Sequence, residues 1–192
     1  MSESFIFQTE RLQLRPSEPE DVPALQAYLN HPSLAGRRYL PWGFSGDLPL
    51  SKKQVEGLVD KWREGKKECN LAVVLRETGQ LAGHAGWDWG WDPHCPFLAA
   101  VIAPEHQRQG YGSEVVHHLL RYLYEDTPAY NVSTWVADWN EAAAQFTRQL
   151  GFRECGRSRC EGIRAGRIFD EIVYDLLRPE WQGSVRGYRD GA

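Results

Sequence analysis

The stretch from Phe97 to Leu123 constrains the fold more than any other part of the chain. Six apolar residues in succession, Phe97-Leu-Ala-Ala-Val-Ile102, read as a central strand covered on both faces, and Pro104 ends it. A loop containing Gly110 and Gly112 follows, and Val115, Val116, Leu119, Leu120 and Leu123 then recur at helical intervals up to a stop near Pro128. Such a junction leaves the first backbone N–H groups of the helix without intrahelical acceptors, where the helix dipole also favours an anion. Gly110 and Gly112 let backbone approach phosphate oxygens with no Cβ between, and Arg108 offers a charged donor. The same residues also suit a tight strand-to-helix turn that binds nothing. Neither a GxxxxGK(S/T) nor a GxGxxG pattern is present, which sets aside P-loop and dinucleotide folds.

The rest of the chain supplies elements that can surround this junction. Phe5 to Arg15 reads as a first strand, with apolar and polar residues alternating from Arg11. Ser17 and Glu20 have capping-box spacing ahead of Val22, Leu25 and Leu29, which predicts a short first helix. Residues 31–49 are rich in Pro, Gly and aromatics and read as a loop centred on Pro41-Trp42-Gly43-Phe44. Ser51 and Gln54 repeat the capping box before a helix whose apolar face is Val55, Leu58, Val59 and Trp62. Asn70 to Arg76 and Leu81 to Trp91 flank the turn residues Glu77-Thr-Gly-Gln80, as a β-hairpin does. Val132, Thr134 and Val136 mark a later strand, Asn140 can cap a helix carrying Ala143, Phe146 and Leu150, and Gly151 suits its left-handed C-terminal cap. Phe152 to Arg159 and Arg167 to Leu177 form a closing antiparallel pair. The expected class is therefore α/β (α+β), a sheet with helices on its faces.

At 192 residues one domain, residues 1–182, can bury its core without staples, and the polar, Gly-rich residues 183–192 read as a flexible tail. Twenty-two basic and 26 acidic side chains give a net charge of −4, which argues against nucleic acid as the main partner. No stretch approaches the roughly 18 apolar residues of a membrane span, and Met1 to Phe7 lacks the pattern of a secretory signal. Cys69, Cys95, Cys155 and Cys160 show no CxxC or paired-ligand spacing, which fits reduced thiols in a cytoplasmic protein with no structural metal.

Gln107-Arg108-Gln109-Gly110-Tyr111-Gly112 matches the R/Q-x-x-G-x-G/A acyl-CoA motif and resembles the GNAT acetyltransferases. Thr9-Glu-Arg-Leu-Gln-Leu-Arg-Pro16 with Glu20-Asp21 is similar to the opening of the RimJ/RimL-like branch, which includes ribosomal-protein N-terminal acetyltransferases. Asn140-Glu-Ala-Ala-Ala-Gln-Phe146 through Leu150-Gly-Phe152 is similar to the family's second cofactor motif. The resemblance runs from about residue 9 to residue 181. It implies a mixed, mostly antiparallel sheet of about six to seven strands with a splayed parallel pair, and acetyl-CoA as cofactor. It also implies direct attack of a primary amine, either a protein N-terminal α-amine or a small-molecule amine, on the thioester in a ternary complex. The cofactor would meet the backbone of Val101, Ile102 and Ala103, the loop Gln107 to Gly112 with Ser113, and Asn140 and Phe146.

Proton handling is less plainly written. Many family members carry a Tyr four residues before the Gly of L-G-F, where this chain has Thr147, and the branch often carries a Glu at the position of Phe97. The candidate catalytic groups are accordingly Asp88, His84 and Glu105. Trp87, Trp89 and Trp91 recur at every second residue, so one strand face would carry three indoles, serving as core, as a homodimer contact or as an acceptor wall to which Trp42 and Phe44 would add. A catalytically silent acyl-CoA-binding or regulatory module is the alternative from another class. A metal-dependent hydrolase built on His94, Cys95, His117 and His118 is weaker, because adjacent helical residues cannot share a face.

Overall fold

Local capping explains where the best-defined helix begins. In α2 (Lys52–Glu64) the Ser51 hydroxyl accepts from the Gln54 backbone N–H at 3.3 Å, and the Gln54 side chain accepts from the Ser51 N–H at 2.9 Å. Gly65, at φ 55°, closes the helix in the left-handed conformation. The expected face of Val55, Leu58, Val59 and Trp62 is buried. This computed structural model describes residues 7–37, 49–65, 68–90 and 92–181; Trp42, Phe44, Trp91 and the 183–192 tail lie outside them.

The strands are β1 (Phe7–Gln8), β2 (Leu12–Pro16), β3 (Glu68–Leu75), β4 (Leu81–Asp88), β5 (Phe97–Ile102), β6 (Asn131–Ala137), β7 (Arg153–Arg164) and β8 (Arg167–Leu177). They follow the hydrogen-bonded order β1-β2-β3-β4-β5-β6-β8-β7 in a mixed sheet. The sheet has eight strands where six to seven were expected. The extra one arises because the single strand read from Phe5 to Arg15 is a hairpin: Phe7 pairs with Leu14, and the chain reverses at Thr9, whose backbone N–H donates to the Leu12 carbonyl at 2.9 Å. The alternation that suggested one strand belongs to β2 alone.

Contacts divide the chain into two compact units, Met1–Asp88 with Ala99–Leu119, and Trp89–Leu98 with Leu120–Ala192. In the first, α1 (Val22–Leu29) and α2 pack on each other around a core of Leu25, Leu29, Val55, Leu58 and Trp62, joined by Val101 and Ala103 of the β5 end. The capping residues ahead of α1 differ by one position from expectation. Asp21, rather than Glu20, accepts the Glu18 backbone N–H at 2.8 Å, because its carboxylate is drawn toward Arg15 at 2.7 and 2.8 Å. β4 lies close to both of its neighbours. A Cβ at Gly86 would sit 1.9 Å from the Cys69 carbonyl oxygen of β3, and one at Gly83 would sit 2.1 Å from the Val101 carbonyl oxygen of β5.

In the second unit β6, β8 and β7 form antiparallel ladders, with Trp135 opposite Val173 and Arg157 opposite Ile172. β5 and β6 pair in parallel. Among the described residues their ladder consists of Phe97 opposite Ser133, with the Ser133 N–H donating to the Pro96 carbonyl at 3.0 Å, so the pairing is confined to the strand beginnings. α3 (Tyr111–Asp126) spans the boundary of the units, and its residues Val115, Val116, Leu119, Leu120 and Leu123 are all buried as the periodicity predicted. α4 (Glu141–Gln149) is capped by Asn140, whose side-chain oxygen accepts from the Ala143 N–H at 3.4 Å, and Gly151 adopts φ 93° after it. β7 runs to Arg164 instead of Arg159. Its register shifts between Ser158 and Gly162, and Cys160 adopts φ 57°, a bulge that breaks the alternation by which a strand is read. No helix among the described residues is long and apolar enough to cross a membrane.

Candidate active site

The loop between β5 and α3 is shaped by bonds that turn its side chains back on its own backbone. The Gln107 side-chain amide donates to the Ile102 carbonyl at 2.8 Å, and that of Gln109 donates to the Glu105 carbonyl at 3.0 Å. Arg108 and Gly110 take φ values of 61° and 85°, so the chain is left-handed on either side of Gln109. Gly meets that requirement without strain, and Arg108 meets it at a cost that a functional loop can bear. The first intrahelical bond of α3 runs from the Glu114 N–H to the Gly110 carbonyl, 3.1 Å. Among the described residues no backbone bond takes up the N–H groups of Tyr111, Gly112 and Ser113, so three parallel donors stand at the positive end of a 16-residue helix. Such a set fits an anion with several acceptor oxygens.

Thr9, Arg11 and Glu114, which were not among the expected site residues, hold the start of α3. The Glu114 carboxylate accepts from the Thr9 hydroxyl, from the Arg11 backbone N–H at 3.0 Å and from Arg11 Nε at 2.7 Å. Burial alone would raise the Glu114 carboxyl, but the bonds from Thr9 and Arg11 outweigh it and hold the group below its ordinary value. Arg11 Nη1 donates in turn to the Gln109 carbonyl at 2.9 Å. The motif Thr9-Glu-Arg11 was visible only as part of a family resemblance. A salt bridge between residues 103 positions apart has no local spacing by which to find it.

The other candidates fall as follows. Val101 is buried, Ile102 half-buried, and Ala103 fully buried with its N–H donated to the Ala82 carbonyl at 2.8 Å. His84 is 1% exposed in β4, and its Nδ1 lies 2.7 Å from the Tyr28 hydroxyl while its ring lies against Trp62 at 5.0 Å. Burial raises the Tyr28 phenol well above its usual value, so it keeps its proton, and the direction of the shared hydrogen bond follows the imidazole tautomer. Asp88 ends β4 half-buried, and Glu105 is exposed in the short 3-10 turn after β5. Trp87 is 6% exposed, opposite Cys69, whereas Trp89 lies beyond the strand in a turn closed by the Asp92 N–H on its carbonyl. In the second unit Asn140 serves as helix cap, Phe146 is half-buried, and Thr147 is buried. His94 pairs with Asp92 at 2.9 Å and His117 with the Ser113 carbonyl at 2.8 Å. Among the described residues no group of three or more His, Cys, Asp or Glu is placed to hold a metal ion.

Residues 11–153 match the family described as Acetyltransferase (GNAT) domain. The chain belongs to the GNAT acetyltransferase family. Its class is accordingly that of the acetyl-CoA-dependent N-acetyltransferases. The uncharacterized N-acetyltransferase YnaD of Bacillus subtilis (strain 168) is 23% identical over 173 residues, 90% of this chain and 97% of that one. YdaF of the same strain, whose name assigns it provisionally to ribosomal N-acetylation, is 24% identical over 178 residues, 91% of this chain and 95% of that one. Among solved structures, the spermidine N-acetyltransferase of Vibrio cholerae in complex with CoA and spermine superposes with a TM-score of 0.76 at 20% identity, covering 91% of this chain and 99% of that one. At that identity the likeness is one of fold.

Proposed function

We propose that this protein transfers the acetyl group of acetyl-CoA to a primary amine, as a member of the RimJ/RimL-like branch. The observation that carries the reading is the set of amide donors at Tyr111, Gly112 and Ser113, opening from a loop that matches the family's acyl-CoA motif. These donors, with Arg108 exposed in the same loop, suit the cofactor's diphosphate, and we assign its pantetheine arm to the Val101–Ala103 end of β5, where the Ala103 N–H and the Ile102 carbonyl already have partners within the chain. Asn140 and Phe146 complete the cofactor residues we assign. Acetyl-CoA supplies an acetyl group activated as a thioester, which a neutral amine takes directly as CoA departs as the thiol. What the chain contributes is placement of the two reactants and removal of a proton from the amine.

Asp88, His84 and Glu105 are the proton acceptors we propose, with Asp88 foremost because a half-buried carboxylate at a strand end can meet an incoming ammonium group. Trp42, Phe44, Trp87 and Trp89 are the proposed acceptor wall. The family match, residues 11–153, includes parts of both compact units, which supports the reading of residues 1–182 as one catalytic domain. A cytoplasmic location is part of the same proposal. The acceptor is a protein N-terminus or a small amine. The name of YdaF favours the first and the spermine bound to the Vibrio cholerae enzyme favours the second. Thr147, buried at the position where the family resemblance implies a phenol, favours a second reading, a silent acyl-CoA-binding module.

Calorimetry with acetyl-CoA, followed by thiol release across a panel of peptide N-termini and polyamines, separates the two. Binding with release for at least one acceptor is expected; binding without any release would replace the enzyme with the silent module. Gly110→Glu puts a carboxylate at the seat and should abolish CoA binding, so micromolar affinity in that variant would contradict the assignment of the loop.

A further inference from the structure

One side chain outside the cofactor motif bonds to Gln109 and lies over Tyr111 within it. Arg11 stands in the reversal between β1 and β2, with Nε and Nη2 each 2.7 Å from the same oxygen of Glu114. Its Nη1 bonds the Gln109 carbonyl, its guanidinium lies 4.6 Å from the centre of the Tyr111 ring, and a Cβ on Gly110 would come within 3.2 Å of Nη2. Two consequences follow from charge and from peptide geometry. Glu114 is the acid in the first turn of α3, and an unpaired carboxylate there would repel a diphosphate approaching the amides of the same turn. Arg11 cancels that charge at contact distance. Gln109 and Gly110 share one trans peptide plane, so drawing the Gln109 carbonyl toward Arg11 turns the Gly110 N–H the opposite way.

We propose that Arg11 is a positioning residue for the cofactor's diphosphate, keeping the start of α3 electropositive by neutralising Glu114 and fixing the Gln109–Gly110 peptide. The inference rests on the reading of this loop as the CoA seat. It implies that removing Arg11 harms binding chiefly through the carboxylate left behind, so that removing Glu114 as well should repair it. A residue that merely braced the fold would lower the thermal midpoint and leave CoA affinity and its salt dependence unchanged at temperatures where the variant is folded.

The test is calorimetric titration of CoA into the full chain and its variants at low and high salt, with thermal melts alongside. Arg11→Gln should weaken CoA binding by about tenfold at low salt, and by less at about 0.5 M salt, where exposed charges are screened. Arg11→Gln with Glu114→Gln should bind at least about threefold more tightly than Arg11→Gln alone. Arg11→Lys, which keeps the charge and loses the fork, should stay within about threefold of the parent chain. Equal affinity of Arg11→Gln and the parent, or a double variant no tighter than the single, overturns the proposal. Where Arg11→Gln does not fold, Glu114→Gln decides alone: binding at least as tight as the parent is expected, and a threefold loss overturns it. A parent chain that binds no CoA is a separate result, which removes the seat itself and this inference with it.

Discussion

At the scale of single residues, two carboxylates tie the fold to pH. Burial would raise Asp21, but the Arg15 fork and the Glu18 N–H prevail and lower it, as Thr9 and Arg11 lower Glu114. A carboxyl whose folded value lies below its unfolded value of about 4 binds more protons when unfolded. Its contribution is therefore complete above that unfolded value and is lost as the pH falls through the depressed folded one. Denaturant midpoints measured from pH 7 down to pH 3 should drop steeply at the acid end, and Asp21→Asn should flatten that drop while lowering the neutral-pH midpoint. A profile unchanged by Asp21→Asn would show that the pair carries no linkage. Asn140 offers a second case, because cap and cofactor ligand were both open for it. Asn140→Ala should cost about 1 kcal/mol in chemical denaturation through the lost bond to the Ala143 N–H. A loss of CoA affinity at temperatures where the variant is fully folded would establish the ligand role as well.

Elements show where the sequence could be read and where it could not. α2 was legible to its first residue because Ser51 and Gln54 satisfy each other three positions apart, and among the described residues no distant group competes for them. The same pattern at Ser17 and Glu20 misled by one residue because Arg15 claims Asp21, and that ion pair depends on a chain path the local pattern does not encode. β1 was hidden for a related reason: Thr9 and Arg11 are turned toward Glu114, more than 100 positions away, and the reversal they anchor interrupts an apparently continuous strand. The β3–β4 pair was expected from its turn residues, but the closeness of its backbones was not. Gly86→Ala forces a Cβ against the Cys69 carbonyl oxygen, a backbone atom that cannot step aside. It should destabilise by about 3 kcal/mol or more, read as a shift in denaturant midpoint, whereas Gly57→Ala on α2, with nothing within 4 Å, should stabilise slightly.

For the molecule as a whole, the strand-loop-helix junction was the most legible feature, since its apolar run, paired glycines and helical stripe are all local. The proton-handling groups were the least legible, because their roles depend on where a substrate sits. The acceptor itself leaves a mark on the pH dependence of kcat/KM. An α-amine, with a pKa of about 7.7–8.0, should give a rate that levels off near pH 8, whereas a Lys or polyamine amine should keep the rate rising toward about pH 10. The same profile measured for Asp88→Asn tests the proposed base, which should lower the rate at neutral pH by at least about tenfold and leave the alkaline limit less affected. The central claim concerns the amides that open α3, and a crystal structure of the protein grown with CoA tests it most directly. The account predicts diphosphate oxygens within hydrogen-bond distance of the N–H groups of Tyr111, Gly112 and Ser113; the cofactor bound elsewhere, with those three groups turned to other acceptors of the chain, would contradict it.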